Sequence, residues 1–152
     1  MIPSGVSTLR LPPDHTAVPF ARFTLAALLS RHGWDDDDVG RVVLVASEAM
    51  SNAIEHGSPD GTRIEVGVAI GPERAEVTVL DRGAPGDVAE IPPPSAPPDS
   101  SPRGRGLLIM HRLSDSLDVR STADGTEVTA GFDRRTTPVP GDGSATTARR
   151  PR

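Results

Sequence analysis

The sequence predicts a two-layer α+β sandwich, with helices packed on one face of a mostly antiparallel sheet. Three observations carry this. The patterned segments follow the order β-α-α-β-β-loop-α-β-β. Strand segments come in neighbouring pairs joined by short turns, as antiparallel hairpins do and βαβ crossovers do not. The 16 prolines are unevenly spread: three lie in 1–13, seven in 83–103 and three in 136–152. Segments 14–82 and 104–133, about 99 of the 152 residues, therefore hold nearly all the regular pattern, which suits one small domain. Proline, glycine and serine together make 44 residues, about 29%, a level at which disorder becomes plausible. The surplus falls in two tails and one internal segment.

Residues 1–6 read as a flexible tail, and Ser7-Thr8-Leu9-Arg10-Leu11 alternates as a short strand that Pro12-Pro13 stops. A first helix fits Val18 to His32, with Phe20, Phe23, Leu25, Ala27, Leu28 and Leu29 as a broad apolar stripe and Gly33 as its stop. The run Asp35-Asp36-Asp37-Asp38 reads as a capped, solvated helix N-terminus, because carboxylates there complement the macrodipole. The second helix, Asp36 to His56, is the strongest element. At about 100° per residue, Val39, Val42, Val43, Ala46, Met50, Ala53 and Ile54 share one stripe.

Gly57-Ser58-Pro59-Asp60-Gly61 closes that helix with a loop. Two alternating strands follow, with Ile64, Val66, Val68 and Ile70 on one face of the first and Ala75, Val77 and Val79 on one face of the second. The turn Gly71-Pro72-Glu73-Arg74 joins them, and Leu80-Asp81 ends the pair. From 82 to 103 the chain is rich in glycine, proline and serine, and so long a structureless stretch inside a small domain is either functional or disordered. Gly104 to Leu113 resumes as a short helix. Strands Leu117–Ser121 and Thr126–Phe132 then flank the turn Ala123-Asp124-Gly125, and 134–152 read as a disordered polar tail. The expected organisation is a tail at 1–6, a domain at 7–133 and a tail at 134–152.

Sixteen basic against 21 acidic side chains give a net charge of −5. Nucleic-acid binding needs clustered positive charge, so no direct nucleic-acid contact is expected. The absence of cysteine excludes disulfides, thiolate metal sites and cysteine nucleophiles. No apolar run approaches the roughly 20 residues that span a bilayer, and Met1-Ile2-Pro3-Ser4-Gly5 has neither a basic nor an apolar leader region. The expected location is the cytoplasm, with no membrane partner.

Three segments could carry chemistry. In the second helix Glu48, Asn52 and His56 recur at i, i+4 and i+8, lining up a carboxylate, a carboxamide and an imidazole roughly opposite the apolar stripe. A solvated polar strip produces such a line too. Val45 and Ala49 on the same side, and an asparagine inside a helix where its propensity is poor, tilt the balance towards a cleft. Leu80-Asp81-Arg82-Gly83 ends a buried-type strand with a carboxylate. It serves equally as an ordinary turn residue or as an acceptor for an exocyclic amine such as adenine's. In Arg103-Gly104-Arg105-Gly106-Leu107, two glycines at a helix start either make a hinge and cap or let backbone N–H groups approach a phosphate. A chain without lysine cannot carry the Walker A motif.

In this order the segments resemble the Bergerat-fold ATP-binding superfamily of gyrase, histidine kinases and MutL, and within it the single-domain anti-sigma-factor serine/threonine kinases. Ser47-Glu48-Ala49-x-x-Asn52-Ala53-x-x-His56-Gly57 is similar to that branch's N box. Asp81-Arg82-Gly83 is similar to the first glycine box, Gly104-Arg105-Gly106-Leu107 to the second, and Gly125-Thr126-x-Val128 to the final strand motif. The first glycine box commonly reads Asp-x-Gly-x-Gly, whereas Gly86 here stands one place further on. The match covers about Ser7 to Phe132.

The resemblance implies ATP and Mg²⁺ as cofactors, with Asn52 as the Mg²⁺ ligand and Glu48 as the general base acting on an acceptor hydroxyl. It implies that Asp81 accepts from the adenine amine with Thr126 in support, and that Gly83, Gly104, Gly106 and Leu107 line the nucleotide. Arg103 or Arg105 would neutralise phosphate charge, 82–103 would be the ATP lid, and His56 is read as structural. The implied partners are a sigma factor and an anti-anti-sigma protein of STAS type, with a homodimer as the implied assembly. Two alternatives stay open beside the kinase: an ATP-binding partner-switching module that transfers no phosphate, and an interaction protein with a decayed site, against which the retention of both Glu48 and Asn52 argues.

Overall fold

The computed structural model describes residues 5–56, 63–82, 102–122 and 125–135 of the chain. In chain order they form β1 (Val6–Leu11), α1 (Ala17–Arg31), α2 (Asp36–His56), β2 (Ile64–Ile70), β3 (Arg74–Asp81), α3 (Pro102–Leu113), β4 (Ser116–Thr122) and β5 (Gly125–Asp133). The expected order and fold class hold. The five strands form one sheet in the order β1-β2-β3-β5-β4, every neighbouring pair antiparallel. Among the described residues no helix is long and apolar enough to cross a membrane.

Alternation decides the two faces of the sheet. Leu9, Val66, Val79, Val128 and Val119 stand in one row across all five strands, and Val66 and Val79 are buried. One residue along, Arg10, Glu65, Leu80, Glu127 and Arg120 make a row on the other face that is charged except at Leu80. Period-two patterning sends one set to the helix layer and the other to water.

In the helix layer α2 packs against α1, α3 and β3. Its predicted stripe is buried from Val39 to Ala53, and Val45 and Ala49 are buried as well, so more than one side of the helix meets protein. Ser47 is buried without penalty because its hydroxyl donates to Val43 O (2.7 Å).

α1 ends in a Schellman motif, with Gly33 at φ 78°, Gly33 N donating to Ser30 O and Trp34 N to Leu29 O. Its apolar stripe departs from the sequence expectation. Only Ala21, Leu25 and Leu29 are buried, whereas Phe20 is 62% and Phe23 76% exposed, and Ala27 is exposed too. The aromatics stand about 100° and 160° round the helix from Ala21, so a helix that packs through one i, i+4, i+8 line cannot bury them.

A second correction concerns the aspartate run. Asp35 caps α2 by accepting from Asp38 N (2.9 Å), but Asp38 itself is 1% exposed rather than solvated. It accepts from Arg41 (2.8 Å) and from Arg135 N (2.9 Å). The domain is also longer than expected at both ends. Val6, assigned to the tail, begins β1 and pairs with Ala69. Arg134, assigned to the other tail, bonds Glu73 O through its N–H and Pro72 O and Gly33 O through its guanidinium. Residues 1–4 and 136–152 and most of the 82–103 segment lie outside the described residues.

Trp34 Nε1 donates to Gly71 O (3.1 Å) and Arg41 to Asp133 O (2.7 Å). These bonds fix the N-terminal end of α2 where β3 begins and β5 ends. At 1.5 Å per residue Asn52 lies roughly 16 Å further along the helix. The C-terminal half of α2 therefore lies towards the end of β3 that carries Asp81.

Candidate functional site

Two groups of side chains assemble from segments distant in sequence. The first joins α2 to α3. Glu48 and Asn52, both half-buried, share one helix line, and Gly106 of α3 lies against them. A Cβ built on Gly106 would stand 2.9 Å from Glu48 Oε2, 3.7 Å from Asn52 Oδ1 and 3.8 Å from Asn52 Nδ2. Only hydrogen at that position lets α3 come so close while both polar groups stay uncovered.

The second group sits where β3 pairs with β5. Asp81 is 7% exposed and lies opposite Thr126 in the ladder. Its Oδ1 accepts from Thr126 N (3.3 Å), which orients the carboxylate. Gly125 precedes Thr126 with φ 142°, and a Cβ there would overlap the Asp81 carbonyl. Both the backbone angle and the close approach require glycine.

The expected site residues thus divide. Glu48, Asn52 and Gly106 come together, and Asp81 and Thr126 come together. Leu107 is partly buried and packs on the core. Gly104 lies in the first turns of α3 with Arg103 and Arg105, whose side chains, like that of His56, lie outside the described residues. Gly83 lies outside them as well.

A carboxylate beside a carboxamide on a helix edge can take up a proton and offer oxygen to a hard cation. Among the described residues no cluster of three His, Asp or Glu could hold a metal on its own. The Asn52 amide oxygen, beside the cradle that a Gly106 Cβ would fill, fits a hard cation held with further ligands from beyond these side chains.

Arg41 escaped the sequence reading altogether. It is 6% exposed and joins Asp38, Asp115 (2.9 Å), Leu113 O (3.1 Å) and Asp133 O, with its guanidinium 5.5 Å from the centroid of Phe132. Burial disfavours its charge, but hydrogen bonds and attraction from Asp115 and Asp38 outweigh that and hold its pKa above the usual arginine value. An Asp38/Arg41 pair at i, i+3 was the one local signal available.

The model of the histidine kinase-like ATPase domain matches residues 11–132. The serine-protein kinase RsbW of Bacillus velezensis is 31% identical over 124 residues, covering 76% of this chain and 78% of the relative. The anti-sigma F factor of Pasteuria penetrans is 32% identical over 110 residues, covering 68% and 73%. Among solved structures, the RsbU and RsbW domains of Rv1364c from Mycobacterium tuberculosis superpose with a TM-score of 0.67 at 23% identity, a likeness of fold. The superposition covers 88% of this chain and 34% of that longer one. The two assembled groups fall inside the matched span, and the chain belongs to the histidine kinase-like ATPase domain family.

Proposed function

We propose that this chain is an ATP-dependent protein-serine/threonine kinase of the anti-sigma-factor type. It phosphorylates a hydroxyl on an anti-anti-sigma partner of STAS type and sequesters a sigma factor, both in the cytoplasm. The observation that carries this reading is the convergence of Glu48, Asn52 and Gly106. Relatives named serine-protein kinase and anti-sigma factor, about 30% identical over most of the chain, support it.

In this reading Asp81, oriented by Thr126 N, accepts from the exocyclic amine of adenine. Asn52 offers its amide oxygen towards the phosphates, and Glu48, one turn earlier, takes the proton of the attacking hydroxyl. Mg²⁺, when bound, neutralises charge between the phosphates. Gly83, Gly104, Leu107 and one of Arg103 or Arg105 are assigned the remaining nucleotide contacts, and 82–103 the role of a lid. Phosphoryl transfer demands chiefly positioning and charge neutralisation, which a base, an amide and backbone donors can supply.

Incubation with labelled ATP and a STAS-type partner tests the reading. Wild type should label the partner. Glu48→Ala should bind ATP within a few-fold of wild type and transfer no label, and Asn52→Ala should lose Mg²⁺-dependent ATP affinity in calorimetry. Tight ATP binding with no label on any partner would leave the partner-switching module without transfer in its place, and label transferred by Glu48→Ala would remove Glu48 as the base.

A further inference from the structure

We propose that Arg41 is a positioning residue for the Glu48 and Asn52 site, acting at a distance by setting the register of α3 against α2. This rests on the kinase reading above for its functional consequence, though not for its structural one.

α3 packs chiefly on α2 and much less on β4, so α2 decides where α3 lies. Two contacts pin it. At the far end Arg41 donates to Leu113 O, a terminal carbonyl that the helix itself leaves unpaired, and to Asp115 just beyond. A cation at a helix C-terminus also complements the macrodipole. At the near end Gly106 lies against Glu48 and Asn52. Arg41 to Glu48 is seven residues, and so is Gly106 to Leu113. At 1.5 Å per residue both spans are about 10 Å, so an antiparallel pair meets at both ends in one register.

Met110, fully buried between the two contacts, packs in the core. A slip of one residue would move α3 by about 1.5 Å and turn it by about 100°, taking Gly106 away from Glu48 and bringing a residue with a side chain to its place. Apolar packing alone resists such a slip weakly, since Leu107, Leu108 and Ile109 offer neighbouring apolar faces. The fork of Arg41 does not tolerate it. Both terminal nitrogens are committed, to two carboxylates and two backbone carbonyls, and the flanking carboxylates compensate the buried charge.

Arg41→Lys tests this, because an ammonium keeps the charge and cannot span four acceptors set out for a planar fork. The first readout is the amide NMR signals of Gly106, Glu48 and Asn52 in the nucleotide-free protein, which should shift although none lies next to Arg41 in the chain. The second is the transfer rate at saturating ATP, at a temperature where circular dichroism shows the variant folded. That rate should fall at least about tenfold, given that misplacement by about 1 Å costs on the order of 10². An arginine that merely stabilised the fold would lower the melting temperature and leave both readouts unchanged. If Arg41→Lys does not fold, Asp115→Asn removes the charge of one partly exposed partner and should shift the same signals less.

Unmoved Gly106, Glu48 and Asn52 signals in a folded variant overturn the inference, as does a transfer rate within twofold of wild type. Shifted signals in a protein whose wild type labels no partner would retain the register device and discard the kinase.

Discussion

Gly106→Ala separates stability from activity at the proposed site. The new Cβ would stand 2.9 Å from Glu48 Oε2, closer than real Cβ atoms come, and ordinary contact begins near 3.4 Å. The carboxylate must therefore move about 0.5 Å. It is the far end of a flexible side chain, so leaving its rotamer costs about 0.5–1.5 kcal/mol. Replacing glycine by alanine inside a helix returns about 1 kcal/mol. The two nearly cancel, and the variant should melt within a few degrees of wild type. Transfer should not survive as well: if misplacing a reacting group by about 1 Å costs on the order of 10², half that displacement costs about tenfold. Circular dichroism melts and label transfer at saturating ATP, on the same preparations, read both quantities. A variant as stable and as active as wild type would refute the contact between Gly106 and the base, and a melting temperature lowered by tens of degrees would refute the claim that the side chain rather than the helix gives way.

Three further outcomes follow from the same geometry. Phe132 is fully buried beneath the Arg41 guanidinium, so Phe132→Ala should cost about 3–5 kcal/mol in urea denaturation, and a loss under about 1 kcal/mol would contradict its place in the core. Gly125→Ala puts a side chain at φ 142° into the Asp81 carbonyl; it should destabilise the domain and weaken ATP binding together, and calorimetry showing unchanged affinity would separate Asp81 from the nucleotide. Asp115 is partly buried, which raises its pKa, but the Asp133 N–H and Arg41 outweigh that and hold the carboxyl below the usual range. Its stabilisation is then fully present above the unfolded value near 3.9 and lost as pH falls from there through the lowered folded value. The difference in melting temperature between wild type and Asp115→Asn should be steady from pH 7 to about pH 5 and close below about pH 4; a difference that persists unchanged to pH 2 would contradict the assignment.

Much of this was legible in the sequence wherever the cause is local. The alternation of Ile64, Val66, Val68 and Ile70 predicts a strand because successive side chains point to opposite faces, and the sheet buries all four. The stripe of α2 predicts a helix and its buried face for the same kind of reason, and the i, i+4 spacing puts Glu48 and Asn52 on one line. Where several faces of a helix carry apolar residues, as in α1, periodicity cannot say which one packs, and Phe20 and Phe23 are exposed although the pattern expected them inside. The aspartate run shows the complementary failure. Its composition says solvated cap, while Asp38 is buried by Arg41 and Arg135, one of them 97 residues away.

The sequence by itself therefore determined the elements, their order, the faces of α2 and the strands, and the residue types at the candidate site, since each depends on dihedral preferences and spacings within a few residues. Only the tertiary structure decided that Gly106 meets Glu48, that Thr126 N orients Asp81, and that Arg41 ties the end of α3 to the start of α2. Those contacts join residues 45 to 72 positions apart. Distances between such segments are set by the packing of whole elements, which no local pattern encodes.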